Sequence, residues 1–273
     1  MAYIQPMAKR YRLGISTTVD YTVDIYEQLR LFSKAGFEFV SIGAQLEHSR
    51  FPEPDRFVEL AEKAAGLGLA IESAHAPFGD EYDLAATGGA LRQAAADKTI
   101  DFARRSAEYG IPMVIIHPHH YFSDDKEACF ERAADSLAKV LLGKPDKIVV
   151  AIENLPTREG SWICDQLLQA LDRRRVGFCY DSSHENMSGA PFHLLKKHYL
   201  RMITCHLSDN QGFKDQHLVP GDGNIKWDEL RSYFDKSPKI HDVLLEVGTG
   251  EKLTEPVEEF VMRAAKRAKE IFG

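Results

Sequence analysis

Cysteine is scarce in this 273-residue chain. Cys129, Cys164, Cys179 and Cys205 are scattered and form no CxxC pair. That sets aside a thiol-built metal or redox motif and predicts reduced, mostly buried thiols in a cytoplasmic setting. Cys179 and Cys205 fall in predicted strands and read as small core hydrophobes. No uninterrupted apolar run reaches membrane-spanning length. Residues 1–11 are short and mixed, lack the apolar core of a signal peptide and read as a tail that frays. Positive charge is not in excess either. Lys and Arg total 34 against 41 Asp and Glu, a net charge of -7, which argues against broad binding to nucleic acid or an anionic membrane. No low-complexity segment or composition break marks a linker, so residues 1–273 read as one domain.

With 44% hydrophobic residues the chain can bury a large core. Short β-branched runs alternate with longer helical stretches, the signature of parallel βα units. Strands are expected at 12–16, 37–42, 69–74, 113–116, 147–152, 176–180, 201–205 and 242–245. Helices are expected at 22–35, up to 66, 89–109, 126–142, 162–172, 191–198, 227–234 and 255–271. Gly36 reads as a helix C-cap. Eight strands, each followed by a helix, predict an α/β fold of the (β/α)8 TIM barrel type, whose strand C-termini converge on one mouth.

Six of those strands end in a metal-ligating residue type: His75, His117, Glu153, Asp181, His206 and Glu246. Three more, His184, Asp215 and His217, lie on the loops just above. Asp215 and His217 are two apart, so on an extended loop they point the same way. Period-two alternation puts Ala151 and Val149 beneath Glu153, Thr204 beneath His206 and Leu244 beneath Glu246. Buried carboxylates repel one another and lose hydration unless compensated, and a divalent cation resolves that conflict. His119, His120, His193, His198 and His241 read as surface or supporting residues. Arg173-Arg174-Arg175 reads as a solvated helix end.

These motifs resemble the xylose-isomerase-like barrel superfamily, which includes endonuclease IV and many sugar isomerases and epimerases. The resemblance rests on His75-Ala76-Pro77, His117-Pro118, Glu153-Asn154-Leu155, Asp181-Ser182-Ser183-His184, His206-Leu207-Ser208-Asp209-Asn210, and Asp215-Gln216-His217 with Pro220-Gly221-Asp222-Gly223. An endonuclease IV-like site implies three ions. His75, His117 and Glu153 would hold the first, Glu153 would bridge to a second with Asp181, His206 and Glu246, and His184, Asp215 and His217 would hold the third. The isomerase and epimerase members imply one ion on Glu153, Asp181, His206 and Glu246. The loop Ala76-Pro77-Phe78-Gly79-Asp80 lacks the Tyr and Asn of endonuclease IV. Gln216 replaces an Arg, and Gln211 or Gly212 replaces a Lys. Those departures remove groups suited to a DNA backbone and favour the sugar branch.

The resulting expectation is an isomerase or epimerase that uses Zn, Mn, Co or Mg, one to three ions, on a sugar, sugar phosphate or related polyol. Glu153 and Glu246 would exchange protons as base and acid through an enediolate. His184, Asn154, Phe78 and Lys214 would contact substrate. The alternative is an endonuclease IV-like multi-zinc phosphodiester hydrolase. A small carbohydrate-like molecule is the expected partner, nucleic acid and membrane are disfavoured, and a homo-oligomer is left open.

Overall fold

A computed structural model describes residues 9–120, 125–250 and 255–273 of the chain. The expected N-terminal tail therefore lies mostly outside the described residues. In chain order the elements are β1 (Arg12–Ser16), α1 (Ile25–Ala35), β2 (Phe39–Ile42), α2 (Pro54–Gly66), β3 (Ala70–His75), α3 (Gly89–Glu108), β4 (Met113–Ile116), α4 (Lys126–Gly143), β5 (Val149–Glu153), α5 (Arg158–Ala170), β6 (Val176–Asp181), α6 (Ser182–Met187), α7 (His193–His198), β7 (Met202–His206), α8 (Trp227–Lys236), β8 (Asp242–Leu245) and α9 (Val257–Phe272).

Local chemistry explains most boundaries. The Asp24 and Asp125 carboxylates cap the starts of α1 and α4 by accepting a backbone N–H two residues on, and Thr157 caps α5 by accepting from Gly160. Gly36 ends α1 in the left-handed conformation, its N–H turned back to the carbonyls of Phe32 and Ser33. Glu258 and Glu259 open α9 and Lys269 closes it, as the helix dipole favours.

The strands run in the order β7-β6-β5-β4-β3-β2-β1-β8, with parallel pairing throughout. The two ends of that order meet just beyond β7. Leu207 N–H donates to the Leu244 carbonyl at 2.9 Å, and Glu246 N–H donates to the Leu207 carbonyl at 3.0 Å. The Cys205 thiol stands in the same seam and accepts the Leu244 N–H at 3.4 Å. The chain is thus a (β/α)8 TIM barrel. All four cysteines are free and buried. No helix among the described residues is long and apolar enough to cross a membrane.

Most of the core lies between the outer faces of the strands and the helices. A second, small cluster of Ile115, Ala151 and Cys179, with Met113 and Ile203 against it, fills the barrel axis. Ala151 sits there two residues before Glu153, as alternation requires. On β7 the alternation is interrupted. The pairing steps from Phe178↔Met202 to Cys179↔Thr204, so Ile203 is an extra residue and reaches the axial cluster.

Candidate metal centre at the barrel mouth

Glu153 and Asp181 are the last residues of β5 and β6, and His75 and His206 the last of β3 and β7. His117 and Glu246 follow β4 and β8 directly. Parallel strands point all six toward one end. Glu153, Asp181 and His206 are almost wholly buried, and His75 and Glu246 nearly so. Ligating atoms of Glu153, Asp181, His206 and Glu246 lie within 4.8 Å of one another, as do those of His75, Glu153 and His206.

Glu153 is the hub. One carboxylate oxygen is 3.1 Å from His75 Nε2, 3.1 Å from His206 Nδ1 and 3.5 Å from His117 Nε2. The other is 3.3 Å from His184 Nδ1. His206 Nδ1 is also 3.1 Å from a Glu246 oxygen. Despite those distances neither ring nitrogen of His206 is in hydrogen-bond geometry with any partner, and Asp181 Oδ2 is likewise buried without one. Leaving such atoms unpaired costs about 1–3 kcal/mol each. Imidazole and carboxylate donors left unpaired and converging on one point are the set that zinc or manganese takes. The donor set therefore fits a divalent cation.

The electrostatics follow. Burial alone would raise Glu153, but the imidazoles of His206 and His117 hold it well below the usual carboxylate range. Burial raises Asp181 to about 7, against the pull of His184 and with help from Glu153, Asp215 and Glu246. Burial opposes a proton on His206, yet Cys179, Glu246 and Glu153 together push its pKa well above the ordinary imidazole value. Without a cation, protons on the imidazoles do part of its work.

An outer arm completes the mouth. His184 Nδ1 donates to the Asn154 carbonyl at 2.8 Å, and its Nε2 is 3.2 Å from Asp215 Oδ2. That same oxygen is 3.1 Å from His217 Nε2, while His217 Nδ1 donates to the Glu246 carbonyl at 2.8 Å. Burial would lower His217, but the Asp215 carboxylate outweighs it and carries it to about 10. Asp215 Oδ1 is buried without a partner. Asp215 thus joins His184 to His217, and the two histidines reach the inner group through Glu153 and the Glu246 carbonyl.

Residues 29–264, most of the chain, match the profile of the xylose isomerase-like TIM barrel. The chain belongs to that family. Among solved structures, a zinc-bound IOLI protein superposes with a TM-score of 0.80 at 18% identity, covering 96% of this chain and 98% of the other. D-psicose 3-epimerase crystallised with D-fructose superposes with a TM-score of 0.77 at 15% identity, covering 96% and 99%. A probable endonuclease 4 of Mycoplasma mobile is 26% identical over 171 residues, 56% of this chain and 61% of that protein.

Within this xylose isomerase-like barrel the four residues expected to contact substrate differ in placement. His184 faces the mouth. It sits on α6, a short helix that takes the place of the expected loop, with Asp181 as its N-cap: the Asp181 carboxylate accepts the His184 N–H at 2.7 Å. Phe78 is half-exposed, its ring stacked on His117 at 4.8 Å and edge-on to His75 at 5.8 Å. Lys214 is exposed on the arm. Asn154 is fully buried and its side-chain amide is spent on the backbone of Asp181, so it has nothing left to offer a substrate. His119 is buried against the start of α5 and His198 pairs with Asp165, both away from the surface.

Two residues escape the sequence reading. Tyr21, in the β1–α1 loop, is pushed to about 12, by burial first and then by the nearby Glu246 charge. Its loop carries no motif, so nothing in the sequence flags it. Asp209 is fully buried and accepts hydrogen bonds from four residues of the β7–α8 segment. An acid inside the His206–Asn210 motif is a signal, but the motif alone does not say which way it faces.

Proposed function

We propose that the chain is a divalent-metal-dependent epimerase or isomerase acting on a sugar, sugar phosphate or related polyol. The observation that carries this reading is the pair of carboxylates, Glu153 and Glu246, each 3.1 Å from His206 Nδ1 at the barrel mouth. When bound by Glu153, Asp181, His206 and Glu246, the ion supplies polarisation of the substrate carbonyl. One of Glu153 and Glu246, ionised, would take the proton from the carbon beside that carbonyl to give an enediolate. The other, entering the cycle as the carboxylic acid, would give its proton to the opposite face of the same carbon, inverting it. For isomerisation the proton would go to the neighbouring carbon while the hydroxyl proton passes to the former carbonyl oxygen. His184 and the arm residues Asp215 and His217 orient substrate hydroxyls, and the Phe78 ring takes the apolar face of the sugar. The neighbouring D-psicose epimerase supports this class of reaction.

Glu153, Asp181, Asp215 and Glu246 bring four carboxylates, set against one dication and the protons that His184 and His217 hold. With a single ion the mouth is therefore close to neutral and accepts a free or a phosphorylated sugar. Incubation with Mn2+, Co2+ or Mg2+ and D-fructose, D-tagatose or D-psicose in D2O tests the reading. Deuterium enters the carbon next to the carbonyl in the wild type and not in Glu153→Gln or Glu246→Gln. Incorporation at the wild-type rate in metal-loaded variants removes these residues from the chemistry.

A second reading has its own support. All nine residues that resemble the endonuclease IV set are present, and the arm exceeds what one ion needs. Three dications, with the imidazoles neutral as ligands, would bring the mouth to plus two and suit a phosphodiester. Three tightly held zinc ions per chain with cleavage of an abasic-site oligonucleotide favour this reading. One exchangeable ion with no cleavage favours the first.

A further inference from the structure

The segment between β7 and α8 carries Asp215 and His217, yet its ends are joined to one another by an acid that points away from them. Asp209 Oδ1 accepts the backbone N–H groups of Asn210 at 2.9 Å and Ile225 at 3.2 Å. Its Oδ2 accepts the Gly221 N–H and the Trp227 indole N–H, both at 2.8 Å. The Asp209 backbone also pairs with Leu218 in both directions, at 2.8 and 2.9 Å. Asp209 therefore gathers the outgoing leg at 209–210 and the returning leg at 218–227. The excursion between them, residues 211–217, is the arm.

The fit at this junction is close. A Cβ on Gly223 would overlap Asp209 Oδ1 and the Asn210 carbonyl oxygen, which accounts for the glycine in Pro220-Gly221-Asp222-Gly223. Asn210 Oδ1 accepts from Gly212 N–H at 2.9 Å and Asn186 Nδ2 at 2.7 Å, tying the arm to the end of α6. Asp222 pairs with Arg263 of α9. At the arm's far end His217 adopts φ +48°, a left-handed conformation uncommon for a residue other than glycine.

We infer that Asp209 is the positioning residue of the mouth: its carboxylate locks both legs of the β7–α8 segment, so Asp215 and His217 stand beside His184 and Glu246 before any metal or substrate arrives. The Asp209 carboxylate is spent on Asn210, Gly221, Ile225 and Trp227 and is not one of the converging ligands. The role in turnover rests on the reading of the mouth as an active site. The preorganisation does not.

Hydrogen–deuterium exchange on the metal-free full chain tests it, with Trp227→Phe and Asp209→Asn. Trp227→Phe deletes one of the four bonds and keeps an aromatic ring in place. Asp209→Asn turns one acceptor into a donor facing N–H groups. Amides 211–218 are expected to exchange about tenfold faster in Trp227→Phe, and faster still in Asp209→Asn, while β4 and β5 keep wild-type rates. Sugar turnover by Trp227→Phe is expected to show KM raised about tenfold with kcat within about twofold, because an orienting contact is loosened. Unchanged exchange across 211–218 in both variants overturns the inference, as does acceleration spread evenly over the barrel. If the wild type turns over no sugar, the epimerase reading fails, and exchange alone decides the role of Asp209.

Discussion

Asn154 and Asp181 clamp the ends of two neighbouring strands by a two-way exchange: the Asn154 amide donates to the Asp181 carbonyl at 2.9 Å and its oxygen accepts the Asp181 N–H at 2.8 Å. The clamp takes over where the β5–β6 ladder ends. It sets the spacing between Asp181, one of its members, and Glu153, which precedes the other. Asn154→Ala leaves a buried N–H and a buried carbonyl unpaired, at about 1–3 kcal/mol each. Urea unfolding should show that loss, and isothermal titration with Mn2+ should show weakened binding because Asp181 is no longer held. Wild-type stability and affinity in Asn154→Ala would mean that the strand ladder alone suffices.

A cation that bridges Glu153, Asp181, His206 and Glu246 binds only the folded chain, so it stabilises the fold. At a free concentration one hundred times Kd the gain is about 2.7 kcal/mol. For a chain of this size that corresponds to a Tm rise of several degrees, about 2–4 °C per kcal/mol. Differential scanning calorimetry with Mn2+ or Zn2+, reversed by a chelator, measures it. His206→Ala should abolish the shift, whereas Lys214→Ala, an exposed arm residue, should retain it.

The architecture was open to reading because strand ends coincide with chemical change. At β4 and β8 the expected and observed bounds agree, since a β-branched or apolar run stops abruptly at a polar residue. The barrel and the expectation that His75, His117, Glu153, Asp181, His206 and Glu246 share one mouth follow from that pattern. α6 was not legible. Six residues hold too few turns for a helical period to show, and its start depends on a cap from Asp181, a residue with another evident use. α5 begins at Arg158 rather than near 162 because Thr157 caps it. Asn154 misleads for a different reason. An amide after a candidate ligand reads the same whether it faces the mouth or bridges two strands, and only the β5–β6 register decides between them. Asp209 is of the same kind, because its partners lie up to eighteen residues downstream.

The Asp165–His198 contact, on the helical side of the barrel, gives a pH signature independent of the mouth. His198 Nε2 is 2.7 Å from Asp165 Oδ1, Lys197 Nζ is 2.7 Å from Oδ2, and the His198 ring lies edge-on to Phe178. Burial lowers His198 below 6.5, partly offset by Asp165. Burial would raise Asp165, but its hydrogen bonds from Lys197 and His198 outweigh that and lower it below 3.8. The signs agree. As pH falls below 6.5 the unfolded chain takes up a proton at His198 that the folded chain resists, and stability drops. The Asp165 contribution is full above 3.8 and is lost as pH falls through its lower folded value. His198→Gln keeps a donor toward Asp165 without titrating, so its Tm should fall less than the wild-type Tm between pH 7 and 5. Parallel Tm curves would show that His198 makes no pH-dependent contribution between pH 7 and 5.

Phe78 offers the sharpest separation of binding from chemistry. The residue is 53% exposed, and its ring is stacked on His117 at 22° between planes. A half-exposed ring holds little of the fold together, so Phe78→Ala should change stability by no more than about 0.5 kcal/mol. A sugar lying on that ring buries roughly 60 Å² of apolar surface, worth about 1.5 kcal/mol at ~25 cal/mol per Å². That corresponds to about tenfold in affinity. Because the contact is made equally before and during proton transfer, the loss falls on KM and leaves kcat near its wild-type value. Steady-state kinetics on D-fructose or D-tagatose, with Mn2+ affinity measured alongside, check this. A drop in kcat with KM and Mn2+ affinity intact would mean that Phe78 acts during the reaction itself, by holding His117 or excluding water, and not as the platform for the sugar.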